Sequence, residues 1–340
     1  MERQNIRKIY ETLLPLVLVT FIFCSFDYSM LITSGNFENY KQAIPGSEVE
    51  FEMIAIPKGE FMMGSPESEA GRNADEFPAH SVQIPAFWMG KHEVTWDEFE
   101  LFVDPRMEKQ IAEKLNYDIL ENNQVDGVSR PTPPFVDMSF GMGKKGYPAV
   151  NMTHYAALAY CRWLTAKTGD FYRLPTEEEW EYACRAGSQS AYHFGDDVAR
   201  LDEYAWYFKN SKNQYQQVGT KKPNPWGLHD MHGNVAEWVM DQYHADYYRH
   251  KEKGGQRWAE TTQTYPHVVR GGSWDDDPEA LRSAARAKSD ESWKQRDPQI
   301  PKSDWWLTDA SHVGFRIVRP LKNPSREEIE AYFYEAIKDF

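Results

Sequence analysis

The sequence predicts an α+β protein, loop-rich and low in regular secondary structure. Three observations lead there. The 340 residues include 21 Gly and 20 Pro, which punctuate the chain too often for long elements. They also include 12 Trp, 19 Tyr and 18 Phe, large flat side chains that can build a core between short elements. Strand-like runs and helix caps alternate irregularly, and no repeat of 20–50 residues is visible, which disfavours solenoids and propellers. The 41% hydrophobic and 26% charged fractions are those of a globular chain, and one this long can bury a core without disulfide staples. With 38 Lys+Arg against 52 Asp+Glu the net charge is −14. That balance, with no basic stripe, excludes a bulk electrostatic grip on nucleic-acid phosphates.

The elements follow in chain order. Arg3, Arg7 and Lys8 precede the apolar run 13–26, LLPLVLVTFIFCSF. This reads as a secretory signal or an N-terminal anchor over 1–35, so the protein is expected to be exported, periplasmic or secreted. Phe23 is bulky where a lipoprotein needs a small residue before Cys24. Residues 36–50 read as a leader. Residues 51–56 (FEMIAI) and 61–65 (FMMGS), joined by PKGE, suggest a hairpin. A run over 82–89 is broken by Pro85. Thr95 can cap a helix that buries Trp96, Phe99, Phe102 and Val103. A charged helical piece is expected over 107–120, then a Pro-rich and a Gly-rich loop. Thr153 opens another helix, closed by Gly169.

The next segment, PTEEE over 175–179, is a capping box: Thr176 can accept from the Glu179 amide while Glu179 reaches back. Ser325 and Glu328 repeat the pattern and start a C-terminal helix within 323–340, with Ile329, Tyr332, Phe333 and Ile337 on one side. Val268, Val269 and Arg270 read as a strand, followed by Gly271, Gly272, Ser273 and Trp274. The glycines permit close backbone approach beside a large indole, at the floor of a cleft or in a tight turn. Asp275, Asp276 and Asp277 read as an acidic turn before a helix near Pro278. Cys161 and Cys184 lie in apolar helical patterns; they can pair or, more in keeping with those surroundings, remain buried thiols.

Seven segments, taken in order, resemble one family: 54–65 (IAIPKGEFMMGS), 91–95 (KHEVT), 147–153 (YPAVNMT), 172–183 (YRLPTEEEWEYA), 224–238 (NPWGLHDMHGNVAEW), 270–274 (RGGSW) and 313–316 (VGFR). The chain is similar to the formylglycine-generating-enzyme, or sulfatase-modifying-factor, family over a domain placed at 51–322. The resemblance implies a C-type-lectin-like formylglycine-generating-enzyme fold and a family role in sulfatase maturation. It implies a structural calcium at Asn234 and Glu237, where an amide oxygen and a carboxylate three residues apart are the hard ligands Ca²⁺ takes. A second calcium would fall near Asn210. From the residues alone, Asn234 caps a turn and Glu237 pairs with an arginine. Gly271, Gly272, Ser273, Trp274, Asp275, Asp276, Arg286 and Arg316 are the cleft candidates.

The oxidase members hold Cu(I) with two cysteines shortly after the GGS segment. Here that stretch reads DDDPEALR over 275–282, and no cysteine follows Cys184. Carboxylates prefer harder ions, so copper is not expected. The function expected is an exported, non-classical member that binds an extended polypeptide client, for which the family suggests a sulfatase, or a glycan. Two alternatives stand beside it: an oxidase using another metal at His229, His232 and the 275–277 turn, and a structural component of a cell-envelope assembly that binds envelope proteins.

Overall fold

The computed structural model describes residues 37–114, 127–132, 134, 136–250 and 258–337. The expected signal or anchor lies outside the described residues. Three small sheets carry the architecture. Strands β1 (Tyr40–Ala43), β2 (Glu50–Ile56) and β5 (Phe87–Gly90) are joined by the late strand β10 (Val318–Pro320) in the order β1-β2-β5-β10, all antiparallel. Strands β3 (Gly59–Met63) and β4 (His80–Ile84) form a two-stranded ribbon. Strands β6 (Ala236–Gln242), β7 (His267–Arg270), β8 (Arg286–Lys288) and β9 (Val313–Phe315) pair in the order β8-β7-β6-β9, with β6 and β9 parallel.

Central strands β5 and β6 are buried along their whole lengths. One core runs between the sheets, where Ile54, Met89 and Val239 pack with Trp180. The described residues from Glu38 onward form one compact unit.

Two expectations are corrected. The leader assigned to 36–50 contains β1, which pairs in register with β2, Tyr40 opposite Met53. The hairpin of 51–56 with 61–65 does not form. Both edges of β2 are taken, by β1 and β5, and β3 turns away to β4. Tyr182 wedges into the corner: its hydroxyl donates to Pro57 O at 3.0 Å and lies 2.2 Å from where a Cβ on Gly59 would stand. Pro85 acts as read, separating β4 and β5 into different sheets.

The caps behave as their chemistry requires. In α1 (Trp96–Val103), Glu98 accepts from the Thr95 amide at 3.0 Å, and the predicted face is buried. Next, α2 (Pro105–Lys114) accounts for the first part of the expected charged helix; residues 115–120 lie outside the described set. Thr153 caps α3 (His154–Thr168), which ends at Gly169 with φ of 79°. Thr176 and Glu179 form both halves of the box on α4 (Glu177–Arg185). Glu179 is also gripped by Arg173 at 2.7 and 2.8 Å. Short helices α5 (Leu201–Tyr204) and α6 (Tyr247–His250) precede the C-terminal α7 (Arg326–Ala336), which carries the Ser325–Glu328 box and buries Phe333. The helix expected near Pro278 is one 3₁₀ turn, Pro278–Leu281.

Candidate functional site

Two loops cross at the head of β6 and β7, and the glycines explain how they can. Gly233 and Asn234 both take positive φ, 84° and 60°. A Cβ on Gly233 would stand 2.2 Å from the Trp206 carbonyl oxygen. Its amide donates to Gly271 O at 2.9 Å, the Asn234 amide to Trp206 O at 2.7 Å, and the Trp274 amide to Asn234 O at 2.8 Å. Three stretches far apart in sequence are thereby laced together. Gly272, at φ 64°, faces Ala280 O and Leu281 with no room for a side chain.

Below the crossing lies a buried charge cluster. Glu237 on β6 receives Arg316 in a two-point grip, Nε to Oε2 at 2.8 Å and Nη2 to Oε1 at 2.7 Å. Trp180 Nε1 adds a third bond to Oε2 at 2.7 Å. The remaining donors of Arg316 reach Gly90 O and His229 O. Asn234 accepts from the Gln216 amide at 2.9 Å and donates to Glu93 Oε1 at 3.1 Å. Asp230 Oδ2 accepts from the Gly219 amide at 2.6 Å. Glu93 Oε2 and Asp230 Oδ1 are buried with no hydrogen-bond partner. Burial, then the Asp230 charge, pushes the Glu93 carboxyl well above the usual carboxylate range. Burial, with the Glu237 charge adding to it, pushes Asp230 up to about 6. Burial opposes the Arg316 charge, but Glu237, together with Glu93 and Asp230, holds its pKa above the ordinary value.

The expected calcium ligands fall unevenly on this geometry. Glu237 has both oxygens engaged, as the arginine-pairing alternative required. Asn210 spends its amide on its own turn, accepting from Tyr207 N and donating to Ala205 O. Among the described residues no group of three or more His, Cys, Asp or Glu side chains is arranged to hold a metal. The partnerless oxygens belong instead to Glu93 and Asp230. Both lie inside quoted motifs, yet sequence reasoning did not single them out. The available signal was a carboxylate set between a histidine and an apolar residue, as in HEV and HDM.

Above the crossing the chain presents the acidic turn. Asp276 Oδ2 clasps Ser273, accepting from its amide at 2.8 Å and its hydroxyl at 2.6 Å. The Phe208 amide donates to Asp276 O at 3.1 Å, which sets Phe208, 56% exposed, beside the turn. Trp274 is buried and donates to Ser311 O, while Asp275 is exposed. Of the cleft candidates, Gly271, Gly272, Ser273, Trp274, Asp275 and Asp276 are therefore brought together. Arg316 and Arg286 are corrected out of the cleft. Arg316 is buried below it, and Arg286 is buried against Glu177, with bonds of 2.6 and 3.0 Å. Each is held inward by a buried carboxylate whose charge it helps to neutralise.

The histidines do not join the acidic turn. His229 Nδ1 is bonded to Lys221 O, and His232 to Leu281 O and to His193. Cys161 and Cys184 are free, fully buried thiols. Burial pushes the Cys184 thiol up to about 12 and Cys161 further in the same direction.

Comparison with known proteins agrees with this arrangement. The sequence pattern of the Sulfatase-modifying factor enzyme 1-like domain matches residues 41–321. A serine/threonine-protein kinase pkn1 of Chlamydia caviae is 29% identical over 76% of this chain, but the match takes in only 38% of that kinase's length. The formylglycine-generating enzyme of Mus musculus is 29% identical over 56% of this chain and 58% of its own. The structure of PvdO from Pseudomonas aeruginosa superposes with a TM-score of 0.59 at 28% identity, over 83% of this chain and 98% of that one. The fold, the crossing loops with the clusters around them, and the match over most of the length lead to one statement: the chain belongs to the family of the Sulfatase-modifying factor enzyme 1-like domain.

Proposed function

We propose that this protein is a non-classical, exported member of the family that binds a polypeptide client at the acidic turn rather than oxidising it with copper. The observation that carries the reading is the Ser273–Asp276 clasp. It fills the stretch where the family's oxidases are expected to hold thiolates with a carboxylate that cannot ligate Cu(I) in that way. The two thiols supported by the core are too buried and too weakly acidic to substitute. Exposed Phe208 and Asp275, with Trp206 under the Lys221 ammonium at 3.9 Å, offer an extended chain an apolar, charged and hydrogen-bonding rim. A sulfatase is the client the family suggests.

A hard divalent cation such as calcium fits the donor chemistry of Glu93 and Asp230, each of which keeps one buried oxygen without a hydrogen-bond partner. It would neutralise buried charge and hold the crossing loops together.

The test is to incubate the purified protein with a cysteine-containing sulfatase-motif peptide, oxygen and copper, and to follow it by mass spectrometry. The expected result is saturable peptide binding, weakened by Asp275→Lys with Phe208→Ala, and no aldehyde. Aldehyde formation overturns the proposal.

A further inference from the structure

On the opposite flank of β6 lies a pocket of about 380 Å³, built from α3, β7 and the loops around 261–265, 294 and 304–307. That volume suits a small molecule rather than a polypeptide strand. Its inner wall is a pair of imidazoles. His154 and His267 stack with ring centres 3.9 Å apart, and Trp238 meets both edge-on. His154 Nε2 is bonded to Val239 O at 2.9 Å, and His267 is held by the Asp241 backbone. Each ring therefore donates to a carbonyl and stays neutral, because burial, and for His267 the neighbouring ring, disfavour a proton.

One atom on this wall has no partner. His267 Nδ1 is buried, with the residue 3% exposed, and makes no hydrogen bond. With the other nitrogen donating, Nδ1 is a bare acceptor on a ring that lines the cavity, and an acceptor buried without a bond is costly to leave unmade. Among the described residues that line the pocket, the ammonium is that of Lys294, and the carboxylate is that of Asp304. The ammonium is substantially desolvated, and Asp304 and Asp297 act on it at a distance rather than as bonded partners. Thr153, Thr261 and Thr264 supply hydroxyl-bearing walls, and Tyr155 and Leu158 apolar ones.

We propose that this pocket binds a small organic acid that carries a hydroxyl or amino donor near its carboxylate. The carboxylate pairs with the Lys294 ammonium, the donor bonds to His267 Nδ1, and the ligand's carbon skeleton lies against Trp238. This complementarity gives the His267 acceptor a donor and brings a carboxylate to the Lys294 ammonium, whose charge burial opposes but Asp304 and Asp297 favour. An apolar ligand would satisfy neither group, and a neutral one would bring no charge to the ammonium. Sugar acids and α-amino acids share this chemistry.

The experiment is calorimetric titration of the full chain with D-glucuronate, L-glutamine and D-glucose, the last being the neutral counterpart of the first. Glucuronate or glutamine is expected to bind, and which of them binds distinguishes a sugar acid from an amino acid. Glucose is expected to bind at least about tenfold more weakly, as one charge-assisted pair requires. Lys294→Met, at a half-buried position, is expected to lose about tenfold for the acid with an unchanged melting temperature. His267→Gln keeps a donor for the Asp241 carbonyl and removes the Nδ1 acceptor, and is expected to weaken the acid severalfold. Equal binding of glucose and glucuronate, full affinity in Lys294→Met, or no binding of either acid overturns the proposal. The client-binding reading rests on the other face and stands or falls separately.

Discussion

Arg316 meets Glu237 with two parallel charge-assisted bonds, 2.8 and 2.7 Å, inside a region where neither residue touches solvent. The pair joins the strand that opens the late sheet to the segment that leaves it. It also supplies an arginine that acts electrostatically on Glu93, Asp230 and Glu237 together.

Removing that arginine should cost far more than removing the pair. Arg316→Met leaves Glu237 buried and unpaired, and the expected loss is about 3–5 kcal/mol. The double variant Arg316→Met with Glu237→Gln should recover part of it. Chemical denaturation of the two variants checks this, and equal losses would contradict it.

The crossing loops predict a contrast between two glycines of similar backbone. Gly169→Ala places a Cβ in open space at φ 79° and should cost about 1–2 kcal/mol of strain. Gly233→Ala, at φ 84°, drives its Cβ into the Trp206 carbonyl. It should cost clearly more, measured as the midpoint shift in urea at constant slope.

The buried acids predict the sign of a pH effect. Asp230 is raised in the folded state, to about 6, so the folded protein holds this proton after the unfolded chain has lost it. Its contribution to stability is therefore present below the unfolded value near 4 and is lost as pH rises towards 6. Carboxyls held low by arginines, such as Glu76 and Glu177, act in the opposite direction. The measurement is thus the difference between wild type and Asp230→Asn in calorimetric melts. The variant should gain relative stability from pH 4 to 6.5, and adding calcium at pH 7 should narrow the gap.

Cys161 and Cys184 should be silent towards a thiol reagent at pH 8 in the folded protein and react fully in guanidinium. Burial removes both access and thiolate. Rapid labelling of either in a Cys24→Ser chain would show that the core opens there.

What the sequence revealed was local. Thr176 with Glu179, and Ser325 with Glu328, could be read because a capping box is written within four residues. Gly271 and Gly272 could be read as a close approach because glycine leaves few other reasons for a doublet. The alternative for Glu237, an arginine partner, was correct, but nothing within reach of that residue named Arg316. The partners of β2 were illegible for the same reason, since its edges are filled by strands at 40–43 and 87–90. The small-molecule pocket combines His154, His267, Lys294 and Asp304, four positions without a shared spacing. Burial separated Arg286 from the cleft, and burial is a property of the whole fold.

The antiparallel match of β10 to β5 has a consequence for the order in which the molecule can be made. Strand β5 is complete by Gly90, yet the partner for its open edge is roughly 230 residues further along. A ribosome at about 5–20 residues per second delivers that partner some tens of seconds later at the slower end. During that interval an entirely apolar strand waits with one edge unfilled. Nascent copies of this protein are therefore expected to need a chaperone, or a passage completed unfolded, until Val318–Pro320 emerges and closes the sheet.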